Sequence, residues 1–222
     1  EITVRLVLEA RAGPDSTERT LPGGYHRVEG AVSVREVVVL RAKLRKIGET
    51  AEYSSYVGEG TLELESLVVS AWDEFVMDNP VGHCEGSSSL EFSYFGSWRQ
   101  TVSALIDREG RLLELYVGDA PGSQVPTEVE AMWEKTWTCV NKETGLSGTQ
   151  SDRVSELIYV SRILEHISAF VKEFGPLESD RQVVISKTVV GPWSGYENLM
   201  HGKPSAEVVF HLSGTIEFSY GS

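Results

Sequence analysis

The chain has 222 residues, a formal charge of −13, 41% apolar residues and 24% charged ones. That length allows one domain or two small ones with a buried core. The acidic balance excludes nonspecific binding to nucleic acid or to an anionic membrane surface, and no apolar run approaches the ~18–20 residues that a membrane-crossing helix needs.

The chain opens on Glu1 rather than Met, as after a cleavage, and no basic and apolar signal segment leads it. Asn79, Asn141 and Asn198 form no glycosylation sequon. Cys84 and Cys139 have no metal-type spacing; a disulfide between them is open, but free buried thiols and a cytoplasmic home are the expectation.

Strands are read from alternation. Ile2, Val4, Leu6 and Leu8 share one face of an opening strand, with Thr3, Arg5 and Glu9 opposite. Residues 34–47 are ambiguous, because Arg41, Lys43 and Arg45 alternate as in a strand. Ser33 with Glu36 has the form of a capping box, Val37, Leu40, Leu44 and Ile47 follow helical spacing, and basic residues precede Gly48; these signals predict a helix. The basic cluster Arg41, Lys43, Arg45 and Lys46 then forms its solvated face.

Leu90, Phe92 and Tyr94 predict a further strand. Segments 101–107 and 111–117 flank Arg108-Glu109-Gly110 as a hairpin. A second helix is expected near 127–140, opened by Thr127 and Glu130 and burying Val129, Met132, Trp133 and Trp137. A third is expected over 152–174, ended by Gly175-Pro176. Its apolar residues cover more than half its circumference, so it calls for cover by a curved sheet or by a partner, a second copy of the chain included. Val208, Phe210, Leu212, Ile216, Phe218 and Tyr220 give a closing strand with one wet face. The stretches 13–24, 80–89, 118–126, 141–150 and 191–205 read as loops.

Internal echoes suggest duplication. Val34–Ile47 matches Val154–Ile167 in apolar pattern, and Arg5–Glu9, Val68–Trp72 and Leu90–Tyr94 return in order as Arg111–Leu115, Val189–Trp193 and Ile216–Tyr220. The expected fold is therefore α+β: two related units, 1–98 and 99–222, each a curved antiparallel sheet around a central helix, with the 127–140 helix as an addition to the second.

This order resembles the double hot-dog proteins, among them polyketide and fatty-acid dehydratases and some thioesterases. His26-Arg-Val-Glu-Gly-Ala-Val32 is similar to the motif that carries the catalytic histidine of the polyketide dehydratases, though the Pro-Gly that follows it there is absent. The resemblance implies a His/Asp pair, with His26 as base and Asp152 as acid, for cofactor-independent dehydratase, cyclase or isomerase chemistry on an acyl or polyketide-like substrate. Apart from that resemblance, His26 reads as a loop histidine and Asp152 as a helix-capping residue beside Ser151.

Other signals are weaker. Trp72, Trp193, Tyr196 and His201 are candidates for lining an apolar pocket. His83-Cys84-Glu85 cannot converge on an extended chain, where neighbours point to opposite faces. The histidines at 26, 83, 166, 201 and 211 form no HxH or HxxxH pair, and no phosphate loop, GxSxG elbow or dinucleotide fingerprint is present. The expectation is a protein that needs no metal or cofactor and holds a small apolar ligand, with turnover left open. The rivals are a non-catalytic lipid or ligand carrier and an assembly module such as a viral protruding domain.

Overall fold

The computed structural model describes residues 1–190 and 209–221, apart from the side chains of Thr17, Ile163 and Leu164. Its elements in order are β1 (Ile2–Leu21), β2 (Gly24–Glu49), β3 (Tyr53–Asp78), β4 (Gly82–Asp107), β5 (Leu112–Asp119), β6 (Val129–Asn141), β7 (Ser147–Ile158), α1 (Val160–Phe174), β8 (Arg181–Val190) and β9 (Val209–Tyr220). All strands join one antiparallel sheet in the order β7-β6-β4-β3-β2-β1-β9-β8, with β5 also beside β4.

Short polar turns set this register. Pro22 and Gly23 join β1 to β2, with Gly23 at φ 73° as the second central residue of a type II turn requires. Asn79 Oδ1 accepts the N–H groups of Val81 and Gly82 at the β3–β4 turn, and Asn141 Oδ1 those of Glu143 and Thr144 between β6 and β7. Asp107 does the same at the predicted 108–110 hairpin, accepting from Glu109 and Arg111.

β2, β3 and β4 each run 26 residues, which would span roughly 85 Å if straight. They curl instead. Tyr56 on β3 and Tyr220 on β9 are three strand spacings apart, ~14 Å on a flat sheet, yet their hydroxyls lie 3.4 Å apart. A bulge at Glu65–Ser66 adds to the bend and swaps the inward parity of β3 from Leu62 and Leu64 to Leu67, Val69 and Ala71.

The segment after α1 straps the curled end. Leu177 exchanges both backbone hydrogen bonds with Leu112 at the start of β5, and the Asp180 N–H donates to Phe218 O on β9. Within this end, α1 lays Val160, Ile167, Phe170 and Val171 onto inward residues that include Leu112 and Leu115. At the other end, β6 and β7 extend the sheet, and Cys84 sits opposite Cys139, joined to it by a disulfide. The free thiols expected from sequence are thus corrected.

The α+β fold of two related units is corrected as well. Residues 34–47 lie wholly within β2, laddered to both β1 and β3 as far as Ala42 and to β3 alone from Lys43 to Lys46. The β-branched run Val37-Val38-Val39 and the alternating basic residues outweigh the helical signals, because both ladders reward extended backbone. The stretch expected as a helix over 127–140 holds β6 from Val129 onward instead: Trp133 and Trp137, four apart, share a face in either conformation. Residues 152–158 are strand, and the helix begins only at Val160, ending before Gly175-Pro176 as expected. The two echoing stretches therefore differ in structure, and position 98/99 falls inside β4. The alternations of β1, of Leu90–Tyr94 and of Phe210 to Phe218 in β9 face the core as read, whereas Tyr220 is exposed and Val208 lies outside the described residues.

Candidate functional site

The sheet–helix junction has two flanks, and each presents a distinct group of side chains. On the first lies a cleft of about 380 Å³ beside α1, at the corner formed by β3, β4 and β5. Ile47, Val57, Leu105 and Leu115 supply aliphatic surface, Tyr56 and Tyr116 aromatic surface, and Ser168, Ala169 and Lys172 the helix wall. Ile47 and Tyr116 are 59% and 68% exposed, apolar area left to solvent at the cleft. Glu114 and Lys172 are the charged groups there. The volume falls in the range of small-ligand pockets, and the mixture of apolar wall and few polar groups is typical of them.

On the other flank a carboxylate is buried. Glu36 points inward from β2 between Leu8 of β1 and Leu67 of β3, and is 1% exposed. His166 of α1 meets it, Nδ1 to Oε1 at 2.9 Å. The second Glu36 oxygen has no hydrogen-bond partner among the described residues. The His166 ring also packs edge-on against Phe170, whose face carries the Lys187 ammonium of β8. Burial by itself would lower the His166 pKa; the charge and hydrogen bond of Glu36 outweigh it and raise the pKa above the ordinary value.

No protein-family model, curated protein or solved structure matches this chain.

His26 and Asp152 are not brought together. His26 lies on β2, edge-on to Phe75 at 6.5 Å, while Asp152 is exposed on β7 opposite Lys135. β3, β4 and β6 lie between β2 and β7 in the sheet order. Trp72 stands on the outer face of β3, 36% exposed between Ala31 and Ser89, away from the cleft lining. Trp193, Tyr196 and His201 lie outside the described residues.

The remaining clusters have structural partners. Cys84 is committed to its disulfide. His83 Nδ1 contacts Asp78 Oδ1 at 3.0 Å, and Lys142 contacts the same oxygen at 2.8 Å. These bonds, that from Lys142 foremost, hold the Asp78 carboxyl below its usual range. Arg41 pairs with Glu63 and Lys46 with Glu49, so the basic cluster is partly neutralised within the sheet. No grouping of metal-ligating side chains occurs among the described residues, and no described helix is long and apolar enough to cross a membrane.

The capping-box form of Ser33 and Glu36 conceals the Glu36–His166 pair in the sequence. Read as a strand, Val34, Glu36, Val38 and Leu40 place a lone carboxylate on an otherwise aliphatic face, and that is the signal which could have found it.

Proposed function

We propose that this protein binds a slender apolar molecule, of acyl-chain type, in the cleft beside α1, and carries it rather than transforming it. The observation behind this reading is the cleft itself, whose aliphatic and tyrosine wall is rimmed by one ammonium, that of Lys172. An acyl chain would remove that surface from water, at about 25 cal/mol per Å², and its carboxylate would find a cation at the rim. Carriage is favoured over catalysis because neither His26 nor Asp152 lines the cleft. The Cys84–Cys139 bridge suits an oxidising compartment better than the cytoplasm.

Titration with 11-(dansylamino)undecanoic acid tests the reading. Saturable fluorescence enhancement with one site per chain is expected, weakened at least tenfold in Ala169→Trp, which fills the cleft from the helix side. Equal binding by the variant, with unchanged thermal unfolding, would overturn it.

A further inference from the structure

The helix that walls the cleft is also the helix that carries His166. A 15-residue helix is marginal by itself in water, so α1 depends on what it packs against. On one side that is the aliphatic stripe. On the other it is a single carboxylate rising from the middle of the sheet.

We propose that Glu36 and His166 form a proton-operated clamp that holds α1, and with it one wall of the cleft, against the sheet. The regulatory consequence for the cleft rests on the carrier reading above; the clamp does not. With the imidazole protonated, the Glu36 carboxylate is compensated by a full charge through a short charge-assisted hydrogen bond. When the proton leaves, a buried carboxylate flanked by Leu8 and Leu67 keeps only a neutral donor. Water reaches it most readily if the helix lifts.

The other charged groups near the ring are few among the described residues. Glu165 of α1 favours the protonated form, and Lys187 of β8 opposes it. Lys187 is itself bonded to both oxygens of Glu173, at 2.8 and 2.6 Å, which blunts its opposition. Phe170, packed against the ring, excludes water from one side.

The pair has the sign of a switch that closes on the acid side. A histidine whose folded-state pKa is raised contributes stability in full below its unfolded value and loses it as pH rises through the folded value. The clamp is therefore closed in mildly acidic solution and opens with alkalinity, and cleft affinity falls in the same direction.

Hydrogen exchange on the full chain, without added ligand, tests this. After correction for intrinsic exchange, protection of the α1 amides is expected to fall at least tenfold between pH 6 and pH 9.5, with β1 and β9 amides unchanged. The fall should vanish in His166→Gln and in Glu36→Gln, which keep size and hydrogen-bonding capacity but lose the titrating charge pair. A flat wild-type profile, or the same fall in the His166→Gln variant, would overturn the clamp. Parallel titrations with 11-(dansylamino)undecanoic acid separate the two ideas. A pH-dependent helix with no probe binding removes the carrier reading alone, and probe binding beside a pH-independent helix removes the clamp alone.

Discussion

Glu36 and His166 lie 130 positions apart in the chain and meet at 2.9 Å, carboxylate on the sheet and imidazole on the helix. Removing one partner strands the other in the core. We expect His166→Ala to lower unfolding free energy by roughly 3–5 kcal/mol, the cost of an uncompensated buried charge. The double variant Glu36→Leu/His166→Leu should recover most of that loss, because apolar groups need no compensation. Urea unfolding of the three proteins measures both.

The same pair sets a pH dependence. Since the His166 pKa is raised in the folded chain, its contribution is complete below about pH 6.5, the unfolded reference, and declines as pH climbs past the folded value. The difference in urea midpoint between wild type and His166→Gln should therefore shrink from pH 6 to pH 9. A difference that grows over this interval would contradict the assignment.

Only parts of the sheet were legible in the sequence, chiefly β1, β9 and stretches of β4 and β5, and the reasons for the failures are physical. β1 and β9 alternate cleanly because each has one face on the core and one in water. β2 does not, since Val37 and Val39 are buried on the side opposite Val38 and Leu40. There the outward valines lie beside the Arg5–Glu65 and Arg41–Glu63 pairs. A strand buried on both faces loses its period of two, and a spacing of three and four can then be found in it. In β6, tryptophans four apart fit helix and strand equally. The cleft was not legible at all: Ile47, Leu105, Leu115 and Ala169 come from four elements or their ends, joined only by tertiary packing.

The disulfide ties β4 to β6 at the end remote from α1, across a sequence separation of 55. Replacing both cysteines by serine should cost roughly 2–4 kcal/mol. In hydrogen exchange the loss should show first in β6 and β7, with α1 protection preserved. Thiol titration of the unfolded, unreduced protein should find no free thiol.

Gly214 of β9 faces Leu8 of β1, and a Cβ placed on it would come within 1.9 Å of Val7 O. Gly214→Ala should destabilise by at least ~1–3 kcal/mol, since backbone must shift to admit the methyl group. A Cβ at Gly148 of β7 meets nothing within 4 Å, so Gly148→Ala should leave the thermal midpoint nearly unchanged.

Methyl-resolved NMR during addition of 11-(dansylamino)undecanoic acid addresses the carrier assignment most directly, because it reports where the acyl chain lodges. Shift changes should converge on Ile47, Leu105, Leu115 and Ala169 and saturate together. Changes confined to the outer-face methyls of Val68 and Met132, or none at saturating probe, would contradict it.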